Sequence, residues 1–473
     1  MDMKKNHIPA EVRRIHLMAV CGTAMGALAC MLTDLGCEVT GSDQKVYPPM
    51  SDFLAGRGIR IMDGFRPENL GHSPDLVVVG NAVTRANPEA VALERLGLPF
   101  CSMPQAINRF VTAGRRTLMV TGTHGKTTTA ALLAWILHAA GCEPAFVIGG
   151  ILKNFQSNYR LGNGGWIVIE GDEYDTAFFD KGPKFLHYRP AATVLTSVEF
   201  DHADIYRDLA HVQSAFRRLV EGLPPDSLLI ACDEDPHISE VIAGAGLTVR
   251  RYGRREGSHW RLGPVTVDPP WTTFDVLQAG SRFARFRTRL IGTHNLLNAL
   301  SAIAVADHLG LPTAALANAL ETFEGIRRRQ EIRGEKRGIV VMDDFAHHPT
   351  AVRETIAAVR AAFPGRRIIA VFEPRTNSSM RKVFQPVYPA AFEGADRVCI
   401  RRPPRLDKIP EAERFSSEEL VAELNRRGKT AGFFADTDQI IDHLVQTAAP
   451  GDVILIMSNG GFDNIHERLL ASL

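Results

Sequence analysis

The segment around Lys126 has the residue types and spacing of a phosphate-binding loop. A predicted apolar strand at residues 118–121 leads into two glycines, and a predicted helix runs from residue 128 to residue 140. The glycines let backbone N–H groups and the helix N-terminus face a phosphate, while Lys126 can reach the outer phosphates and Thr127 can hold Mg²⁺. The predicted loop residues are Gly122, Thr123, His124, Gly125, Lys126, Thr127 and Thr128.

The loop departs from the general nucleotide-binding pattern at one position, because Val120 stands where that pattern has glycine. An ordinary strand–turn–helix corner with a solvated lysine is the alternative interpretation. The order Gly-Lys-Thr-Thr between a strand and a helix favours nucleotide binding.

Two acidic segments follow other predicted strands. Residues 170–175 (Glu-Gly-Asp-Glu-Tyr-Asp) and residues 199–204 (Glu-Phe-Asp-His-Ala-Asp) each come directly after an apolar stretch. Because ligands bind at the carboxyl ends of parallel strands, we expect both segments beside the phosphate loop. Mg²⁺ prefers oxygen ligands, so Glu173 is a natural ligand and His202 a less usual one. Helix capping by the acidic side chains is the alternative.

Apolar stretches alternate with helix-period segments along the whole chain, which predicts an α/β fold built from parallel βαβ units. The predicted strands are 15–20, 39–42, 76–79, 118–121, 167–169, 193–196, 339–342, 368–372, 397–400 and 453–457. Short antiparallel strands and turns are expected between residues 253 and 280. A length of 473 residues suggests about three domains, which we place at residues 1–113, 114–325 and 326–473.

Composition argues against several kinds of partner. The chain has 54 Lys plus Arg and 53 Asp plus Glu, so it lacks the basic surplus of a nucleic-acid-binding protein. Seven scattered cysteines without a C-x-x-C pair indicate reduced thiols. The amino terminus is polar, and no apolar run approaches the ~20 residues needed to cross a membrane. We therefore expect a cytoplasmic protein that acts on small molecules.

These motifs resemble those of the Mur ligase family, and the resemblance covers essentially the whole chain. The family loop is T-G-T-x-G-K-T, followed by E-A-D-E-x-D, where this chain has Gly171 in place of alanine, and by D-H. The resemblance implies a Rossmann-like amino-terminal domain, a P-loop ATPase central domain and a Rossmann-like carboxy-terminal domain. It also implies ATP-dependent amide-bond formation on UDP-N-acetylmuramate. The implied catalytic residues are Lys126, Glu173, His202 and Arg329, and the implied Mg²⁺ ligands are Thr127, Glu173 and His202.

The same resemblance implies further ATP contacts. Residues 292–298 are similar to the segment near adenine, residues 325–329 to a linker whose last arginine reaches ATP phosphates, and residues 343–349 to the opening motif of the last domain. Asn295, Arg329 and Asp344 are thereby implied to contact ATP. The basic run at residues 327–337 would otherwise be a solvated helix face.

A second glycine-containing loop follows the first predicted strand, where Gly22 and Gly26 let amides approach a pyrophosphate. By the resemblance, UDP-sugar is held by Gly22, Thr23, Met25, Gly26, Asp43, Asn81 and Thr84. No lysine occurs between Lys184 and Lys336, so the carbamylated lysine used by some members cannot come from that segment. Its absence indicates the branch that acts on UDP-muramate itself.

Two acceptors stay open within that branch, L-alanine and the tripeptide L-alanyl-γ-D-glutamyl-meso-diaminopimelate. The sequence is similar to tripeptide-adding members at residues 47–51, 174–190, 373–377 and 457–462. Arg375 and Arg381 could anchor acceptor carboxylates, or could be ordinary surface arginines. His347 and His348 could receive the amine proton, or could be structural. A folylpolyglutamate-type ligase and a nucleotide-dependent switch protein are more distant alternatives.

Overall fold

The structure, a computed structural model, describes residues 2–44, 46, 50–404 and 406–473. Residues 47–49 of the predicted acceptor-related segment lie outside the described residues, and the side chains of Met50 and Ser51 are not described either. The chain divides into two compact units. The first comprises Met1–Glu199, Ala210–Trp260 and Ser301–Ala319, and the second comprises Phe200–Leu209, Arg261–Leu300 and Leu320–Leu473.

The first unit begins with a five-stranded parallel sheet in the order β3-β2-β1-β4-β5. The inner strands Arg14–Met18 and Leu76–Val79 are almost wholly buried, as expected for a parallel sheet covered on both faces, whereas the edge strand Arg60–Asp63 is partly exposed. The strands are β1 (Arg14–Met18), β2 (Glu38–Asp43), β3 (Arg60–Asp63), β4 (Leu76–Val79) and β5 (Phe100–Ser102). The helices are α1 (Thr23–Asp34), α2 (Met50–Ala55), α3 (Pro88–Leu96) and α4 (Met103–Phe110).

Seven strands of a second sheet belong to the first unit, in the order β14-β13-β12-β6-β9-β7-β8, all parallel except the β7–β8 pair. In chain order these strands are β6 (Arg116–Thr121), β7 (Ala145–Leu152), β8 (Ser157–Arg160), β9 (Trp166–Gly171), β12 (Ala192–Leu195), β13 (Leu228–Cys232) and β14 (Thr248–Gly253). Between β9 and β12, a separate antiparallel hairpin pairs β10 (Asp175–Ala177) with β11 (Asp180–Pro183). The helices are α5 (Lys126–Ala139), α6 (Leu209–Gly222) and α7 (Pro236–Val241).

The region predicted as short antiparallel strands forms three longer ones, β15 (Trp260–Asp268), β16 (Trp271–Gln278) and β17 (Ser281–Thr288), of which β16 and β17 pair antiparallel. Two helices follow, α8 (Thr293–His308) and α9 (Thr313–Thr322).

A six-stranded sheet in the order β18-β19-β23-β20-β21-β22 completes the second unit. Only the β18–β19 pair is antiparallel. The strands are β18 (Glu331–Lys336), β19 (Ile339–Asp344), β20 (Ile368–Phe372), β21 (Arg397–Arg401), β22 (Thr430–Phe434) and β23 (Val453–Met457). The helices are α10 (Pro349–Ala362), α11 (Tyr388–Ala391), α12 (Ser417–Arg426), α13 (Thr437–Thr447) and α14 (Ile465–Ser472).

Alternate residues of β20 belong to different cores of this sheet. Ile368, Ala370 and Phe372 pack with residues of α10, α11 and α12, whereas Ile369 and Val371 pack with residues of α13 and α14. Successive strand residues point to opposite faces, so helices cover both faces of the sheet. No helix among the described residues is long and apolar enough to span a membrane.

Every predicted apolar strand is present, and its ends differ from the predicted bounds by at most two residues. The strand predicted at 15–20 stops at Met18, because Ala19 has a left-handed φ of 65° and turns the chain. The helix predicted from residue 128 begins at Lys126. The α/β class is thereby confirmed, whereas the boundaries at residues 113 and 325 stay predictions.

Candidate active site

The phosphate loop connects β6 to α5 and packs against the loop after β12. Gly122 has a φ of 128°, and a Cβ there would overlap Thr196 Oγ1 and lie 2.8 Å from Ser197 N. Gly125 has a φ of 80° and is the N-cap residue of α5. Two positive φ angles and the close approach explain both glycines of the motif. The loop leads directly into the first turn of α5, whose N–H groups have no acceptor within the helix itself.

Lys126 forms a buried ion pair with Glu173. Its Nζ lies 2.8 Å from Glu173 Oε2 and donates to Gly122 O at 2.5 Å, and Glu173 is only 2% exposed. Burial alone would lower the pKa of Lys126, but the negative charges of Glu173, Asp172 and Glu170 raise it above its ordinary value. The lysine is therefore a fixed cation at the carboxyl edge of the sheet.

Thr127 binds a residue that the sequence analysis did not single out. Its Oγ1 donates to Glu170 Oε2 at 3.1 Å, and Glu170 Oε1 accepts from Gly149 N at 2.6 Å. Glu170 ends β9, beside the end of β6. The sequence shows that Glu170 lies in the first acidic segment, but it does not show that Glu170 pairs with Thr127.

Two other loop residues contact the segment after β12. Thr123 Oγ1 accepts from Glu199 N at 2.8 Å, and Ser197 Oγ accepts from His124 N at 2.9 Å. Thr128, in the first turn of α5, is buried. The predicted meeting of the phosphate loop with the two acidic strand ends therefore occurs within the first unit, at Glu170, Glu173 and Glu199.

The first unit offers oxygen ligands that suit Mg²⁺. The Thr127 hydroxyl and the carboxylates of Glu170 and Glu173 cluster at the ends of neighbouring strands, and hard oxygen donors are what Mg²⁺ prefers. A hydroxyl and two carboxylates beside one lysine form a donor set that fits a divalent cation. His202 belongs to the second unit, and its membership in the metal site stays a prediction.

In the second unit, Gln330 joins two of the residues implied to contact ATP. Its Oε1 accepts from Asn295 Nδ2 at 2.9 Å, and its N–H donates to Asp344 Oδ2 at 2.8 Å. Arg329 lies with its guanidinium carbon 4.5 Å from the ring centre of Phe345. Burial raises the pKa of Asp344, and Arg329 partly opposes that rise. Asn295, Arg329 and Asp344 therefore form one cluster, with Gln330 as a connection not predicted from sequence.

His202 follows a buried carboxylate. It has a left-handed φ of 51°, and its N–H donates to Asp201 Oδ1 at 2.7 Å. Asp201 is 7% exposed. Burial would raise the pKa of Asp201, but the nearby side chains of His347, His202 and His348 hold that pKa well below its usual range. A permanent negative charge therefore lies in this histidine cluster.

The glycine-containing loop between β1 and α1 exposes its backbone at the carboxyl edge of the five-stranded sheet. Gly22 is the N-cap residue of α1 with extended angles, and Gly22 and Thr23 are exposed. Asp43 ends β2, and its Oδ2 accepts from Cys21 N at 2.9 Å, which holds the loop. Of the other residues predicted to hold UDP-sugar, Met25 and Gly26 are buried in α1 and support the loop by packing. Asn81 and Thr84 follow β4 and are exposed.

A fully buried polar network lies beneath this loop. Glu89 and His16 are both 0% exposed, and His16 Nε2 lies 2.6 Å from Glu89 Oε1. Glu89 Oε2 accepts from Ser42 Oγ at 2.8 Å and from Asn69 Nδ2 at 3.3 Å. Ser42 O in turn accepts from Val20 N at 3.1 Å. The network thus connects α3 and β2 to the backbone of the glycine loop.

Arg375 lies where β20 and β23 end side by side. Its guanidinium is 3.5 Å from Glu373 Oε1 and packs against Gly460, where a Cβ would overlap it. Glu373 is fully buried and accepts from Ser458 Oγ at 2.6 Å. Two of the segments that resemble tripeptide-adding members, residues 373–377 and 457–462, therefore meet.

Arg381 has a different environment, because it forms an ion pair with the exposed Glu413. Its Nε is buried without a hydrogen-bond partner among the described residues. The two arginines therefore differ in their partners, and the prediction that either one anchors an acceptor carboxylate stays open.

The sequence matches three descriptions of one family. "Mur ligase family, catalytic domain" matches residues 14–115, "Mur ligase middle domain" matches residues 120–306, and "Mur ligase, glutamate ligase domain" matches residues 328–460. The three matches confirm the expected three-domain architecture.

Individual relatives are similar over nearly the full length. The chain is 43% identical to the UDP-N-acetylmuramate–L-alanyl-gamma-D-glutamyl-meso-2,6-diaminoheptandioate ligase of Escherichia coli (strain K12), over 97% of this chain and 98% of the relative. A solved murein peptide ligase from Psychrobacter arcticus 273-4 has 35% identity and a TM-score of 0.73, covering 98% of each chain. The solved UDP-N-acetylmuramate-alanine ligase from Thermotoga maritima has 25% identity and a TM-score of 0.80, covering 98% of this chain and 99% of that one.

Proposed function

The chain belongs to the Mur ligase family, and we propose that it joins the tripeptide L-alanyl-γ-D-glutamyl-meso-diaminopimelate to UDP-N-acetylmuramate, in the recycling of cell-wall peptide. As a family member it is an ATP-dependent ligase that forms an amide bond. The observation that carries the tripeptide proposal is the 43% identity to a ligase named for that acceptor, along the whole chain.

The proposed reaction has two steps. The lactyl carboxylate of UDP-N-acetylmuramate attacks the γ-phosphate of ATP, which gives an acyl phosphate and ADP. The amine of the tripeptide then attacks the acyl carbon, and phosphate leaves. An acyl phosphate must be kept from water, which favours closure of the domains around the substrates.

We assign roles in the first step to the residues that the family resemblance implies. Lys126 would offset charge on the transferring phosphoryl group, Arg329 would bind phosphate oxygens, and Asn295 and Asp344 would position the nucleotide. Thr127, Glu173 and His202, with Glu170 added from the structure, would hold Mg²⁺, which supplies charge neutralisation for the phosphates when bound. Gly22, Asp43 and the loop at residues 81–84 would hold the UDP-sugar.

The second candidate function is ligation of L-alanine. The TM-score of 0.80 with a solved alanine-adding enzyme favours it, since the tripeptide-related structure reaches 0.73. Sequence identity favours the tripeptide instead, because it is 25% to the alanine-adding enzyme and 35% to the murein peptide ligase. Identity bears more directly on the acceptor, because Arg375, Ser458 and Gly460 are individual side chains and turns that a backbone superposition does not distinguish.

Phosphate release with Mg-ATP and UDP-N-acetylmuramate tests the proposal, with L-alanine or the tripeptide supplied as acceptor. We expect release to depend on the tripeptide and not on L-alanine. Release driven by L-alanine alone would establish the second candidate. If neither acceptor supported release, the assignment of the amino-terminal domain to UDP-N-acetylmuramate would be wrong.

Replacing Arg375 with alanine is expected to raise the KM for the tripeptide about tenfold or more, since a charged hydrogen bond contributes roughly 1.5–3 kcal/mol. The KM for ATP should stay unchanged. Arg381→Ala is the matched control and should have a smaller effect, because its Glu413 partner is exposed. An unchanged tripeptide KM in Arg375→Ala would exclude this residue as the anchor.

A further inference from the structure

The adjacent residues His347 and His348 use their ring nitrogens in different ways. His348 is the N-cap residue of α10, and its Nδ1 accepts from Thr350 N at 3.2 Å. Its Nε2 lies 3.1 Å from the carbonyl oxygen of Phe200. An imidazole that accepts at Nδ1 carries its hydrogen on Nε2, which then donates to that carbonyl. Both ring nitrogens of neutral His348 therefore form hydrogen bonds. Protonation of Nδ1 would break the bond from Thr350, because two N–H groups would then face each other.

His347 has the opposite tautomer. Its Nδ1 lies 3.0 Å from the carbonyl oxygen of Phe345, so Nδ1 carries the hydrogen and donates it. The lone pair of the neutral ring is then on Nε2, which lies 3.8 Å from Asp201 Oδ2. The side chain is 22% exposed. His347 can therefore receive a proton on Nε2 without losing the hydrogen bond that orients its ring.

Two further contacts hold this arrangement. The hydroxyl of Tyr388 donates to the backbone oxygen of His347 at 2.6 Å, and the ring centre of Phe345 is 5.7 Å from that of His347. Asp201 is buried, so its carboxylate would stabilise an imidazolium at His347. An imidazole whose Nδ1 is fixed as a donor and whose Nε2 faces a carboxylate can accept a proton on Nε2 and be stabilised as an imidazolium, as a general base requires.

The loop that carries Arg375 lies against the segment that carries Asp201. Ser378 Oγ accepts from Ala203 N at 3.1 Å, and Asn377 Nδ2 donates to Asp204 Oδ2 at 2.8 Å. The proposed acceptor anchor and the histidine cluster therefore belong to one packed region of the second unit.

We propose that Nε2 of His347 removes a proton from the α-ammonium group of the incoming acceptor, and that Asp201 is a positioning residue for this transfer. The inference rests on the proposed ligase function. The ammonium nitrogen gains its lone pair when His347 takes the first proton. The nitrogen then forms a bond to the acyl carbon, the bond from that carbon to the phosphate oxygen breaks, and phosphate leaves with the electron pair. The second proton of the nitrogen leaves with phosphate.

The variant His347→Asn tests the proposal, because an asparagine amide can still donate to the oxygen of Phe345 but has no basic nitrogen. Two rates are compared in the full chain with Mg-ATP and UDP-N-acetylmuramate. One is tripeptide ligation, and the other is hydroxamate formation with hydroxylamine, whose nitrogen is already unprotonated at neutral pH. We expect ligation to fall about 10²–10⁴-fold, the usual contribution of a general base, while hydroxamate forms at the wild-type rate.

His348→Asn is the matched control, since asparagine also caps helices well, and it should lose far less ligation than His347→Asn. Equal losses of ligation and hydroxamate formation in His347→Asn would overturn the proposal, and so would an unchanged ligation rate. A higher tripeptide KM at unchanged kcat would also overturn it, because His347 would then bind the acceptor and not deprotonate it. Wild-type protein that formed neither product would overturn the proposed function itself.

Discussion

Lys126→Ala is expected to reduce ATP-dependent ligation by about 10²–10³-fold or more, since removal of one preorganised donor to a developing anion typically costs that much in kcat. Nζ of Lys126 donates to the loop carbonyl of Gly122 and also neutralises the buried Glu173. The variant removes the charge meant for the phosphoryl group and leaves a 2% exposed carboxylate without its lysine. Phosphate release at saturating ATP measures the loss.

Lys181→Ala is the matched control for Lys126→Ala. Lys181 has a 70% exposed side chain and pairs with Asp175, and exposed pairs contribute only about 0–1 kcal/mol. The control should ligate at nearly the wild-type rate. Comparable activity of the two variants would mean that the loop is a structural corner and does not bind the transferring phosphate.

Glu89→Ala is expected to destabilise the amino-terminal part of the chain by roughly 3–5 kcal/mol, because it leaves three buried hydrogen-bonding partners unsatisfied and each such group costs about 1–3 kcal/mol. His16, Ser42 and Asn69 all lose a hydrogen-bond partner. The loop residue Val20 is tied to Ser42, so the KM for UDP-N-acetylmuramate should rise as well. Chemical denaturation measures the first effect and initial rates the second.

Glu94→Ala provides the comparison for Glu89→Ala, since Glu94 lies in the same helix, α3, and is exposed. Exposed substitutions usually change stability by less than about 0.5 kcal/mol. The account of the buried network would be contradicted if both variants unfolded at the same denaturant concentration.

Most continuous apolar strands were predictable because each is buried on both faces, although β13, with the sequence Leu-Leu-Ile-Ala-Cys, is fully buried and was missed. β4, with the sequence Leu-Val-Val-Val, is fully buried and matches its predicted bounds. Strands at the edges of sheets were not predicted. β18 has the sequence Glu-Ile-Arg-Gly-Glu-Lys and is largely exposed, and β8 has the sequence Ser-Asn-Tyr-Arg. Such strands are fixed by their hydrogen-bonded neighbour, and their own side chains have no apolar pattern.

In the candidate active site, too, some residues could be predicted from the sequence and others could not. The phosphate loop and Glu173 were predictable because their residue types and order relate directly to phosphate and metal chemistry. The contributions of Glu170 and Gln330 were not, since each depends on a partner distant along the chain, Thr127 or Asn295. The difference between His347 and His348 also needed the structure, because two identical side chains are distinguished only by the atoms around their nitrogens.

The fate of the lactyl carboxylate oxygens tests the central claim most directly. UDP-N-acetylmuramate labelled with oxygen-18 in that carboxylate is incubated with Mg-ATP and the tripeptide, and both products are analysed by mass spectrometry. The account predicts one labelled oxygen in each released phosphate and a nucleotide product whose mass is that of UDP-N-acetylmuramate plus tripeptide less one water. Unlabelled phosphate, or ATP turnover without the amide product, would contradict it.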